Sequence, residues 1–155
     1  MEWKRTAALR SARVPVSDSD LDHVRRAFVE FNERYDALRD AGVAAYHAEF
    51  YAPDAVIEHV DNFPSPGSYA GLAGYEEWFG QSYGDYRDVT WQIVGIEAVA
   101  DRVLALVRVS GKPPDDDVQL EIALGITYEL RGGKIAHVRV YLGHERARDA
   151  ASSGG

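Results

Sequence analysis

From Val118 to Leu142 the chain reads VQLEIALGITYEL, RGGK, IAHVRVYL, and this stretch restricts what the rest can build. Leu120, Ile122, Leu124, Ile126, Tyr128 and Leu130 alternate with Gln119, Glu121, Ala123, Gly125, Thr127 and Glu129. A period of two sends alternate side chains to opposite faces of an extended strand. Arg131-Gly132-Gly133-Lys134 supplies the tight turn of a hairpin. In the returning strand Val138, Val140 and Leu142 alternate, less cleanly, with His137, Arg139 and Tyr141. A hairpin this long with an apolar row on each strand needs a cover, and the amphipathic segments before it are the candidates.

Those segments are helical. Ser17-Asp18-Ser19-Asp20 offers two caps, Ser17 with Asp20 or Ser19 with Asp22. Leu21, Val24, Phe28, Phe31 and Tyr35 then recur at helical spacing. The pattern runs on from Ala37 to Phe50 with a break at Gly42, and Ala44, Ala45, Ala48 and Phe50 form the packed side of a second helix. Ala55 to Asp61 is a short strand with Ile57, His59 and Asp61 on one side and Val56, Glu58 and Val60 on the other. Asn62 to Gly74, rich in proline and glycine, is a loop. A short third helix opens at Tyr75, and strands at Val89–Ile96 and Arg102–Ser110 follow as antiparallel neighbours. Gly143 to Asp149 adds a helical turn.

The predicted division is a flexible N-terminal arm over 1–16, one domain over 17–149 and a disordered tail over 150–155. At 155 residues the chain has the length of a single domain. The element order predicts an α+β fold: a cone-shaped α+β barrel, its strongly curved mixed sheet wrapped around the N-terminal helices. Such a cone leaves a pocket at its mouth.

Charge and composition remove several functions. A net charge of -8 argues against nucleic-acid binding, which needs concentrated Lys and Arg. No apolar run is long enough to cross a bilayer, and the first residues lack the apolar core of a signal peptide, so the expected location is cytoplasmic. Without cysteine there is no thiolate chemistry, and the five histidines show no zinc-ligand spacing, so no metal or cofactor is expected.

Tyr69-Ala-Gly-Leu-Ala-Gly-Tyr-Glu-Glu-Trp-Phe79, Ala100-Asp-Arg-Val-Leu-Ala-Leu-Val-Arg108 and Tyr128-Glu-Leu-Arg-Gly-Gly-Lys-Ile135 through Val140-Tyr-Leu142, in this order and spacing, resemble the SnoaL-like group of the nuclear transport factor 2-like superfamily. Val24 to Asn32 and Tyr51 to Glu58 fit the same pattern, so the resemblance spans roughly Leu21 to Arg146. It implies the cone fold and a homodimer. It does not fix the chemistry, because the superfamily holds ketosteroid isomerase, scytalone dehydratase, limonene epoxide hydrolase and polyketide cyclases beside pure binding and oligomerisation domains. Matched to the isomerase pattern, the base position falls on His59, the tyrosine position on Ala27 and the acid position on Gly125 or Ile126. Alanine, glycine and isoleucine donate no side-chain hydrogen bond, which argues against steroid isomerisation. The chain also carries extra residues around 34–44, which implies a longer or broken helix near the pocket mouth.

The residues themselves leave two functions open. In the first, the chain is a small-molecule pocket protein acting as an acid–base enzyme of cyclase, isomerase or hydrolase type on an apolar ligand. His59 is then the general base with Asp61 beside it, and Phe31, Ile57, Trp78, Ile126, Tyr128 and Val140 line the pocket. In the second, it is a non-catalytic ligand-binding or dimerisation module, His59 a buried histidine held by a neighbour and Trp78 core filler. The expected partners are an apolar small molecule and a second copy meeting across His137, Arg139 and Tyr141 on the convex sheet face, with no nucleic acid or membrane. Glu121 is expected on the solvated side, and Arg108 to pair with a carboxylate on a neighbouring strand.

Overall fold

The structure is a computed structural model that describes residues 16–61 and 67–152. Most of the expected arm, part of the proline-rich loop and the last three residues lie outside the described residues.

The first helix, α1 (Asp18–Ala41), starts at the earlier of the two caps. Ser17 Oγ accepts from the Asp20 amide at 3.1 Å, and Asp20 Oδ2 accepts from the Ser17 amide at 3.3 Å. A cap of this kind is worth about 1 kcal/mol. Val24, Ala27, Phe28, Phe31, Tyr35 and Leu38 make its buried stripe. The helix ends where expected, at Gly42, whose φ of 102° suits a residue without a side chain. In α2 (Ala44–Phe50) the buried residues are Tyr46, His47 and Phe50. Ala44, Ala45 and Ala48 are exposed instead, because Val43, Tyr46, His47 and Phe50 already hold the i, i+3, i+4, i+7 stripe with larger side chains.

The strand β1 (Tyr51–His59), the three-residue β2 (Ser68–Ala70), α3 (Gly71–Ser82), β3 (Arg87–Val99), β4 (Arg102–Lys112), β5 (Leu120–Arg131), β6 (Lys134–Leu142) and α4 (His144–Ser152) complete the order. The β5–β6 hairpin turns on Gly132 and Gly133 at φ 60° and 78°, the left-handed pair that suits a tight turn between twisted strands. Six strands form one sheet in the order β2-β1-β6-β5-β4-β3, with β1 parallel to β6 and every other pair antiparallel.

This sheet corrects the predicted cone-shaped barrel. Its ends, β2 and β3, do not pair, and it is neither closed nor strongly curled. Closure demands a stagger shared by every strand around the circumference, and a three-residue edge strand offers too few hydrogen bonds to join β3. The sheet is covered on both faces. Val103, Ala105 and Val107 of β4 join the main core with α1, α2 and α3, while Leu104 and Leu106 join a second cluster with Tyr141, Ala147 and Ala151 of α4. Double coverage explains why β4 reads as a continuous apolar run rather than an alternation. The last helix runs to Ser152, past the expected domain limit at 149, with Ala151 fully buried.

Candidate functional site

The inner side of β1 alternates Ala55, Ile57 and His59, all buried. Opposite them α3 buries Tyr75, Trp78, Phe79 and Ser82, again at i, i+3, i+4, i+7. A side-chain bond joins the two elements near the end of β1: Trp78 Nε1 donates to His59 Nε2 at 2.9 Å. An indole N–H can only donate, so His59 Nε2 is the acceptor and the neutral ring carries its proton on Nδ1. The lone pair that would serve as a base is therefore already engaged.

Asp61 does not complete a dyad. Its Oδ2 accepts from the Leu142 amide at 2.9 Å, and its Oδ1 faces Arg146 Nη1 at 2.7 Å. The carboxylate ties the end of β1 to the end of β6 and to α4, a joining task in the fold.

Phe31, Ile57, Trp78, Ile126, Tyr128 and Val140 do meet around one cavity, together with Tyr46, Tyr51, Tyr75 and Trp91. Its volume is about 30 Å³. That is room for water, and far below the roughly 300 Å³ at which ligand pockets begin. Rings fill the space: Phe31 lies 5.8 Å from each of Tyr46, Phe79 and Trp91, centroid to centroid. In place of the open pocket expected inside the cone stands a packed aromatic cluster with a small void among its rings.

The polar groups in this wall are phenols and indole N–H groups, and each can donate. Burial pushes the Tyr46, Tyr75 and Tyr128 phenols well above their ordinary value, and it raises Tyr51 in the same direction against a lowering hydrogen bond with Tyr75. All four stay protonated near neutral pH. Tyr46 spends its proton on the Ala27 carbonyl at 2.6 Å, latching α2 to α1. Trp91 is clamped by its backbone: Asn32 Nδ2 donates to its carbonyl at 2.9 Å and Asn32 Oδ1 accepts from its amide at 2.8 Å. Its indole N–H is buried and has no hydrogen-bond partner among the described residues. Of the thirteen lining residues none carries a carboxylate, an imidazole or an amine. Such a wall can grip an acceptor, but it has no group to remove a proton.

Behind it, His47 stacks on Tyr51 with centroids 5.3 Å apart and an interplanar angle of 9°. Its Nε2 is buried without a partner among the described residues, and burial holds its pKa below the ordinary value. Sequence reasoning missed Tyr46, Tyr51, Tyr75 and Trp91. Tyr75 stands three residues before Trp78 and could have been placed on the same helix face; Trp91 follows Val89 at strand spacing.

The outer face differs from expectation as well. Tyr141 is buried beneath α4. His137 and Arg139 are engaged by Glu58 at 3.4 and 3.3 Å and by Glu129 at 3.3 and 3.7 Å. Arg108 does face a carboxylate on the next strand, Glu121, at 3.9 Å with both side chains exposed. No helix among the described residues is long and apolar enough to cross a membrane.

Several solved structures share this fold. Bal32a, from a soil-derived mobile gene cassette, superposes with a TM-score of 0.65 at 17% identity, over 85% of this chain and 95% of its own. TerC, co-crystallised with polyporic acid, gives 0.64 at 12% identity over 86% and 98%. A Catenulispora acidiphila protein with a ketosteroid isomerase-like fold, in complex with trimethylamine, gives 0.55 at 13% identity over 63% and 73%. A comparison with curated proteins finds no match. The profile of the SnoaL-like domain matches residues 21–138, from the first turn of α1 to the middle of β6. With most of its length covered and the element order in agreement, the chain belongs to the SnoaL-like family and has the fold of the nuclear transport factor 2-like superfamily.

Proposed function

We propose that this chain is a non-catalytic binding protein for a small, largely apolar molecule with a hydrogen-bond-accepting oxygen, and that the aromatic rings part to admit it, because the void they leave at rest holds only water. The observation that carries the reading is the Trp91 indole N–H, buried without a partner among the described residues in a wall that holds rings and phenols but no base. A buried donor left unpaired costs about 1–3 kcal/mol, and a ligand oxygen placed against it recovers that. The neighbouring polyporic acid complex is of a different protein and adds only that this fold can hold an organic guest.

The competing reading is the acid–base enzyme with His59 as base and Asp61 as its partner. Its support is the buried imidazole one hydrogen bond from Trp78, whose ring lines the cavity. It requires Trp78 to release Nε2 and Asp61 to leave Arg146, so the binding reading is preferred. A homodimer across the outer face is a separate proposal. What supports it is the strip of Glu58, Glu129, His137 and Arg139, which carries both signs of charge and could face its own copy; sedimentation velocity tests it.

Calorimetric titration with cyclohexanone tests the binding reading. Binding to the parent protein, weakened about tenfold in Trp91→Phe as about 1.4 kcal/mol of lost bonding dictates, supports it. Absence of binding, or equal affinity in Trp91→Phe, overturns it. Conversion of an apolar carbonyl compound that disappears in His59→Gln would instead establish the enzyme.

A further inference from the structure

Beside the aromatic cavity lies a larger hollow. A half-open cleft of about 320 Å³ separates the end of α3 from the β4–β5 ends. Tyr83 and Tyr86 from the α3–β3 connection form one wall; Val89, Val109, Leu120 and Ile122 form the other. Its volume reaches the roughly 300–1,000 Å³ of small-molecule sites, which the inner cavity does not.

Three observations join this cleft to the cavity. The first is a common floor. Val109 and Ile122 are register partners, and Ile122 continues the row Leu124, Ile126, Tyr128, of which Ile126 and Tyr128 line the cavity. The second is a common wall. The Tyr83 ring borders the cleft and packs 5.4 Å from each of Trp78 and Trp91, both of which line the cavity. The third is support. The Tyr35 hydroxyl lies against the carbonyl of Tyr83 and at 3.1 Å from that of Tyr86, so the connection bearing both tyrosines is tied to α1. Glu121 also borders the cleft, but its strand phase is opposite to that of Ile122 and its carboxylate faces Arg108. The side chains walling the interior are thus uncharged, and Leu120 at the rim is 46% exposed.

We propose that cleft and cavity are two chambers of one site, divided by the Tyr83 ring. The ligand is an uncharged, elongated molecule whose ring-bearing apolar body lies between Tyr86, Val109 and Ile122. Its acceptor end passes Tyr83 to reach the Trp91 N–H. The inference rests on the binding function above and adds the shape of the ligand and its route.

The test uses an uncharged naphthyl ketone whose fluorescence moves to the blue on leaving water, with the full chain and variants checked for folding by circular dichroism. Ile122→Trp and, as a second filling of the same space, Val109→Phe leave the cavity lining intact. Both should weaken the probe at least tenfold while leaving cyclohexanone affinity within twofold of the parent. Tyr83→Ala should speed probe association several-fold in stopped flow. Parent-like probe affinity in both filling variants overturns the two-chamber site, and so does unchanged association in Tyr83→Ala. Either result, with cyclohexanone still dependent on Trp91, leaves the binding function standing. Failure of the parent protein to bind either ketone overturns both.

Discussion

The two faces of this sheet are packed by opposite means. On the side of α1, α2 and α3, Ile126 and Tyr128 meet large rings, and a void of about 30 Å³ remains among them. On the other side Leu104, Leu106 and Tyr141 meet Ala147 and Ala151, and Gly125 lets α4 approach so closely that an added Cβ would stand 2.1 Å from the Ala147 Cβ. Rings are stiff plates that tile imperfectly and carry N–H or O–H groups that need partners. Small side chains close to contact and leave nothing unpaired. The aromatic face is thus the one that can admit a guest, and the alanine face the one that resists change.

Adjacent residues of β5 can break that comparison. Gly125→Leu forces a side chain into the backbone and Cβ of a helix that cannot rotate away, so it should destabilise by about 3 kcal/mol, the upper part of the range for overpacking. Ile126→Phe adds bulk on the opposite face, beside the void, and should cost under about 1 kcal/mol. Urea unfolding measures both. Equal costs would mean that the two faces are packed alike.

The next effect lies inside the aromatic face. Trp78→Phe keeps a ring in place but removes the donor to His59 Nε2, at a cost of about 1–3 kcal/mol for the stranded acceptor. Nitrogen chemical shifts of the imidazole should show the Nδ1–H tautomer in the parent protein. A parent with the proton on Nε2 would remove the Trp78 bond from the account and return His59 to contention as a base.

How much of this was legible in the sequence follows from the same contrast. Period-two and helical patterns report which side of an element is apolar, so the β5–β6 hairpin, the α1 stripe and the break at Gly42 could all be read from residues alone. Ile126 and Tyr128 could be assigned to the inner row for the same reason. Curvature and closure depend on pairing between the sheet's ends, which no local pattern encodes, and the barrel was therefore predicted where an open sheet stands. His59 and Asp61 share a phase in the sequence, yet β1 ends at His59, and the chain beyond it turns Asp61 toward Leu142 and Arg146. Whether a ring walls a pocket or fills it depends on its neighbours' volumes, which is why the same residues could be named and the space between them misjudged.

A pH series sharpens the contrast further. His47 is buried against Tyr51 and Tyr75 with its pKa lowered by desolvation. The unfolded chain therefore takes up a proton near the ordinary 6.5 while the folded one resists it, so the contribution is complete above that value and is lost as pH falls toward the lowered folded pKa. Thermal stability of the parent should fall as pH drops below about 6.5, and His47→Phe should flatten that decline. An unchanged slope would show that His47 is charged, or solvated, in the folded state.

The smallest effect belongs to the strip of charge beside α4. Glu58 faces His137 and Arg139 across β1 and β6, and Glu129 faces the same pair from β5. The Glu58 side chain is 43% exposed, so solvent screens these contacts and each is worth only about 0.2–1 kcal/mol. Glu129 also remains to hold His137 and Arg139 when Glu58 is neutralised. Glu58→Gln should therefore shift stability by under about 1 kcal/mol in low salt, and the shift should fade at about 1 M salt, where the screening length is near 3 Å. A larger loss that salt does not remove would mean that this strip is covered in solution, since among the described residues the Glu58 side chain stands 43% exposed.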